Sequence, residues 1–455
     1  MESALDFGMQ TLLKTIGFLG LGVGWVISAD AVPVLSFQRM ELAKHFWSEG
    51  AAVGDFNRDG KPDVVSGPYW YEGPDYTKRH EIYAPTQTFK RTAETGSEEV
   101  IPGFEGGLGF KNTYSDNFFA FTRDMNGDGW VDVMVYGFPG KEAIWYENPA
   151  GGSGHWKRHV VFDQVDNESP AFADVDGDGI PEIVCTRAGF LGYAKMDKAD
   201  ASKAWVFHPV SPQGKWGKFT HGLGVGDVNG DGRMDLLEGG GWWEQPASLE
   251  GDPEWKKHPL PLGQGAQYYV DDVNGDGLPD IVGSVAAHGY GLAWWEQYRG
   301  ADGARSFRKH LIMGDKEAEN RFGVKFSQLH ALELVDMNGD GLKDIVVGKR
   351  FWAHGRTGDP EPNAPAVVYW FELVRAEGGV RFIPHLIDDN SGVGTQVTVA
   401  DTNGDGLLDV VVGNKKGVFV HRQARRDVSV AEAAALLPKE TPGYVETVNE
   451  VGGKP

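Results

Sequence analysis

The stretch D-V-N-G-D-G-L-P-D, Asp272 to Asp280, decides the fold. Side-chain oxygens stand at its positions 1, 3, 5 and 9, and glycine fills position 6. Six further stretches align with it without gaps: DFNRDGKPD from Asp55, DMNGDGWVD from Asp124, DVDGDGIPE from Asp174, DVNGDGRMD from Asp227, DMNGDGLKD from Asp336 and DTNGDGLLD from Asp401. A fixed acidic loop recurring along a chain marks a repeat architecture, in which one supersecondary unit is stacked many times.

Oxygen donors on alternate residues, followed by a glycine turn, suit a hard cation that takes six to eight oxygens. Position 7 would give only its carbonyl, which explains the variety of residues found there. On this reading the first loop offers Asp55, Asn57, Asp59, Lys61 and Asp63, and the second Asp124, Asn126, Asp128, Trp130 and Asp132. The third offers Asp174, Asp176, Asp178, Ile180 and Glu182, and the fourth Asp227, Asn229, Asp231, Arg233 and Asp235. The fifth offers Asp272, Asn274, Asp276, Leu278 and Asp280. The sixth offers Asp336, Asn338, Asp340, Leu342 and Asp344, and the seventh Asp401, Asn403, Asp405, Leu407 and Asp409. Nothing soft is offered, so calcium is expected, at about seven structural sites. Three carboxylates per loop, with Asp176 as an extra, match the whole net charge of −22. Such clusters repel one another when empty, which couples folding to calcium.

Around each loop the sequence is periodic too. A short strand precedes it, a β-branched run follows, then an aromatic strand ending in an acid (WYE, WWE, WFE), then a strand with a recurring histidine. Four strands per unit and no helical period give an all-β seven-bladed β-propeller spanning residues 32–423. The seventh unit lacks a fourth strand, whereas Phe37 to Ala43 has the character of one, so an N-terminal strand is expected to complete the last blade. Residues 424–455 leave the ring, with a capping box at Ser429 and Glu432 opening a short helix before a polar tail.

Residues 1–31 read as a signal peptide: Lys14, an apolar run from Ile16 to Ile27, and an A-x-A site ending at Ala31. A secreted or periplasmic address follows, with no membrane partner beyond that peptide. The acidity argues against nucleic acid as a partner. The lone Cys185 reads as a buried structural thiol.

These repeats resemble the FG-GAP/VCBS class of calcium-binding propeller repeats over about residues 35–423. More narrowly, Phe326 to Gly355 and Asp388 to His421 are similar to the propeller domain of aldos-2-ulose dehydratases, without the cupin domains that accompany it. That resemblance implies elimination chemistry on a keto-sugar and a divalent metal, zinc, at the propeller's cleft.

Propeller geometry sorts the remaining residues. If the calcium loops lie on one face, residues five to eight before each loop ring the opposite mouth: Glu49, Asn117, Glu168, His221, Gln267, Gln328, His330 and Gln396. Loops on the same rim add Tyr69, Arg187, His288, Lys349, Arg350, His354 and Lys415. His80, His159, His208, His258, His310 and His385 recur in the outer strand and read as structural. His221, His288, His330 and His354 do not recur. His221 and His330 are the first candidates for a Zn²⁺ or similar site with a carboxylate such as Glu168 or Glu49. His288, His354, Glu168 and Tyr69 are candidate bases, and Lys349, Arg350 and Lys415 candidate stabilisers of an enolate. The segments 86–116 and 351–366 are long enough to be lids, with Phe104, Phe110, Tyr114 and Trp352 placed to stack on a sugar. Three functions remain open: a metal-dependent lyase or hydro-lyase on a keto-sugar or keto-glycoside, a non-catalytic glycan- or protein-binding propeller, and a uronate lyase.

Overall fold

The computed structural model describes residues 31–109 and 111–451. Its regular structure is overwhelmingly β, in sheets of four, seven, nine, four, four and two strands, within which a four-stranded antiparallel unit recurs seven times, the second and third and the fourth and fifth being joined. The first unit runs Ala52–Gly54, Asp63–Ser66, Tyr69–Tyr71 and Arg79–Glu81. The second and third share one long strand, Lys157–Ala173, which pairs first with Lys141–Glu147 and then with Glu182–Arg187. The innermost strands of the last four units are Leu223–Gly226, Gln267–Asp271, Ala331–Val335 and Thr398–Ala400.

The acidic loop creates each unit locally. Its ninth residue opens the second strand and is buried, and its carboxylate gathers backbone N–H groups from two directions. Asp63 accepts from Phe56 at 2.9 Å and from Gly73 at 2.8 Å, tying the loop to the far end of the third strand. Asp132, Asp235, Asp280, Asp344 and Asp409 repeat that pair of bonds. The β-branched residues that follow, such as Val64, Val133, Ile281 and Val410, are fully buried.

Each junction between neighbouring units holds its own apolar cluster. Phe56, Trp70 and Val133 fill the first junction, and Trp242, Tyr268 and Trp295 fill the fourth. Trp47, Tyr71, Val411 and Val420 pack the seventh unit against the first. Large aromatic side chains are suited to this, since each buries much apolar area at low entropic cost.

Residues Ala31–Ala43 form a strand antiparallel to Gly417–Ser429, with Phe37 opposite Gln423, as the outer strand of the seventh unit. The expected signal peptide lies outside the described residues, except Ala31, which is the first residue of this strand. After Ser429, whose hydroxyl accepts from Glu432 N at 3.2 Å, a short helix spans Val430–Leu436. The tail does not simply leave: Val448–Val451 returns to pair with Arg305–Met313 as a fifth strand of the fifth unit. Nothing in its polar sequence announced this pairing. Among the described residues no helix is long and apolar enough to cross a membrane.

Candidate functional site

His221, His288, His330 and His354 come from four places in the chain and meet. His221 precedes the innermost strand of the fourth unit, and His330 that of the sixth. His288 sits on the turn between the second and third strands of the fifth unit, and His354 on the 351–366 segment. Nε2 of His330 lies 3.1 Å from Nδ1 of His288. The ring of His221 is 4.8 Å from that of His288 and 5.3 Å from that of His330, both edge-on. One nitrogen from each of His221, His288 and His330 falls within a 4.8 Å set, the spread expected of ligands around one ion.

Carboxylates surround the imidazoles. Glu168 Oε2 stands 3.5 Å from His221 Nε2, which is buried with no hydrogen bond of its own. Asp359, on the 351–366 segment, accepts from His354 Nδ1 at 2.8 Å and lies 3.3 Å from His288 Nδ1. His288, His354 and Asp359 form a second set of converging ligand atoms that shares His288 with the first. Beneath them, the fully buried Arg350 donates from Nε to Glu49 at 3.2 Å and stands 3.5 Å from Glu168. It also lies 3.4 Å from His330 Nδ1.

Burial, followed by the charge of Arg350 and the neighbouring imidazoles, holds the His330 pKa well below its usual value. Burial also lowers that of His288, against the pull of Asp359. Their lone pairs are therefore free for a metal at neutral pH. Asp359 is the reverse case: burial works to raise its pKa, but hydrogen bonds from His288 and His354 keep it well below the carboxylate range. Glu168 is also held low; burial opposes this, and His221 and Arg350 outweigh it. Three converging imidazoles beside two carboxylates with lowered pKa values are a donor set suited to a divalent transition ion.

The FG-GAP-like repeat family matches residues 124–185 and 336–412, which carry the second, third, sixth and seventh acidic loops. The chain carries FG-GAP repeats in a β-rich domain. No curated protein matches it. Among solved structures it is similar to a V. cholerae biofilm matrix protein, with 12% identity, 85% of this chain and 91% of that chain covered, and a TM-score of 0.38. It is similar to an Agrocybe aegerita lectin described as recognising non-reducing terminal N-acetylglucosamine, with 16% identity, 87% and 86% covered, and a TM-score of 0.30. A rhamnogalacturonan lyase shares 14% identity, with 86% and 72% covered and a TM-score of 0.38.

The recurring histidines are structural: His80, His159, His258, His310 and His385 each stack on a tryptophan and hydrogen-bond a glutamate of the same unit. Gln267 and Gln396 are structural as well, bridging backbone groups of other units.

The other candidate residues divide. Lys349 and Lys415 are buried, and burial brings their pKa values down to about 8 and about 7. Lys349 donates to Ser327 Oγ at 2.8 Å, and Lys415 to the carbonyl of Trp352 at 2.7 Å. Tyr69 is not brought to the cluster: it packs against Trp47 in the junction between the seventh and first units, under Arg79. Burial raises its pKa, the wrong direction for a base.

Both expected lids reach this region and touch. Asn112 donates to the Tyr114 hydroxyl at 2.9 Å and to the Ala353 carbonyl at 3.4 Å, and Lys415 also donates to Asn112. Phe104 packs on Phe46 instead, and Phe110 lies outside the described residues. Part of the 86–116 segment is a hairpin, Thr88–Thr92 with Glu98–Pro102, not loop. Asp359 and Asn112 were missed from sequence. Asp359 is five residues from His354, the one local signal that could have found it.

Proposed function

We propose that the chain is a closed seven-bladed β-propeller, stabilised by calcium in its FG-GAP loops and exported from the cytoplasm, that binds a carbohydrate at a divalent-metal site in its mouth. The convergence of His221, His288 and His330 carries this reading. Asp359 and Glu168 stand close enough to complete or orient such a ligand set. Three imidazoles leave a position open, where paired hydroxyls of a sugar fit a divalent ion. Tyr114 and Trp352 lie in the adjoining segments and offer aromatic faces. Calcium fits the loops because each buried ninth-position aspartate needs a cation. Burial, with repulsion from neighbouring carboxylates, raises Asp63 and Asp132 to about 6, Asp235 and Asp280 to about 7 and Asp344 to about 8.

One observation favours a second reading, an elimination on a keto-sugar. Asp359 accepts from His354 Nδ1, the arrangement that orients an imidazole as a base. A divalent ion would supply polarisation of the sugar ketone. His354 would then remove the neighbouring C–H proton, and the β-oxygen would leave as the double bond forms and take up a proton. Arg350, already shared between Glu49 and Glu168, serves better to hold the two carboxylates than to meet substrate.

The test is glycan binding with and without zinc, on the wild type and on His330→Ala, together with ultraviolet detection of enone release from keto-sugars. Zinc-dependent binding without turnover supports the first reading, and enone formation the second. Binding unaltered by zinc or by His330→Ala contradicts both.

A further inference from the structure

The third acidic loop differs from the other six in what faces it. In five units a glutamate follows the third-strand residue that pairs with the start of the second strand. These are Glu72, Glu147, Glu244, Glu296 and Glu372, next to the partners of Val64, Val133, Leu236, Ile281 and Ile345. At the same register the third unit has Lys195, next to the partner of Ile183. This position borders the third residue of the loop: Glu147 accepts from Asn126 Nδ2, and Glu372 from Asn338 Nδ2, both at 3.4 Å. In the third unit both halves of the pair change charge: glutamate gives way to Lys195, and the neutral asparagine of position 3 to Asp176.

The Lys195 ammonium donates to Asp176 Oδ2 and, at 3.2 Å, to Asp178 Oδ2. Lys198 adds a second ammonium 3.0 Å from Asp178. In the second, fourth, fifth, sixth and seventh loops the fifth-position carboxylate accepts from the asparagine amide at 2.8–3.2 Å, and in the fourth Asp231 also accepts from Arg233. A basic residue at this register is not enough by itself. Arg422, its counterpart in the seventh unit, donates to the carbonyl of Pro74 and leaves its loop alone.

We propose that the third loop is built to hold its shape without calcium, with the Lys195 ammonium bridging the carboxylates that a cation bridges elsewhere. The inference rests on the calcium reading of the other six loops. Ligand atoms of Asp174, Asp176 and Glu182 still converge, but two ammonium groups against one extra carboxylate weaken this loop's attraction for a divalent ion. The backbone is nonetheless wound as in its neighbours: Gly179 N donates to Asp174 Oδ2 at 2.9 Å and Ile180 N to Asp178 Oδ1 at 3.0 Å.

The measurement is bound calcium per chain at saturating Ca²⁺, by elemental mass spectrometry, on the wild type, Lys195→Glu and Lys195→Gln. Lys195→Glu restores the residue the other units carry, and Lys195→Gln guards against misfolding of the first variant. The wild type should hold one calcium fewer than a variant. Hydrogen exchange in chelator should leave the amides of Asp178 and Gly179 protected while those of Asp231 and Gly232 open. Equal, non-zero calcium in the wild type and both variants overturns the inference and leaves the calcium reading intact. No calcium in any of them overturns both.

Discussion

The acidic loops and the histidine cluster both draw on ionisable side chains, yet they differ in repetition. An acidic segment returns seven times, and in six copies the ninth residue ties its own unit together, Glu182 in the third accepting only from Val175 N. At the mouth His221, His288, His330, His354, Glu168 and Asp359 occur once each, and none is needed to shape a strand. Repetition marks what the fold requires; departure from it marks what the molecule does with the fold.

The largest effect should come from emptying the loops. Chelation should lower the melting temperature by tens of degrees, since the buried ninth-position carboxylates then have no cation. The loss should also depend on pH in a definite direction. Asp235, Asp280 and Asp344 have folded pKa values raised to between about 7 and about 8. Their contribution to the stability of the calcium-free chain is fully present below the ordinary carboxylate pKa and is lost as pH rises through the raised values. Calcium-free protein should therefore melt at a lower temperature at pH 8 than at pH 5, and calcium should shrink or reverse that difference. A flat profile in chelator would show that the loops need no cation.

Next in size is the packing between units. Trp242 is fully buried in the fourth junction and stacks on His258 with ring centroids 4.0 Å apart. Trp242→Ala should cost about 3–5 kcal/mol in urea unfolding, without altering metal at the mouth. A parallel loss of mouth metal would mean that the two faces are coupled more closely than the geometry indicates.

Changes at the mouth should do the opposite. His330→Ala should weaken zinc binding by at least about 100-fold, as measured by competition with a chromogenic chelator, while stability in calcium changes little. Asp359→Asn should weaken it by about 10-fold to 100-fold, since this carboxylate fixes His288 and His354. His258→Ala, which removes a recurring histidine, should leave zinc affinity unchanged.

The contrast also explains how far the sequence could be read. The loops were legible because their chemistry is local and reinforced by repetition, and the outer N-terminal strand because the seventh unit visibly lacked one. Counting back from each loop was enough to bring His221 and His330 to the same rim. Tyr69 was misplaced because its position within a unit places it on the rim, whereas its side chain turns into the apolar junction beside Trp47. Asp359 was missed because a carboxylate in a long connection carries no period. The meaning of Lys195 emerges only when the strand register sets it opposite the five glutamates. The return of Val448–Val451 to the fifth unit depends on distant pairing that its polar sequence does not encode.

The most direct test is elemental analysis of the protein purified without chelator, beside a variant with His221, His288 and His330 all changed to alanine. The account predicts several calcium ions in both and about one zinc-like ion in the wild type only. Calcium alone in the wild type, or a transition metal retained by the triple variant, would contradict it.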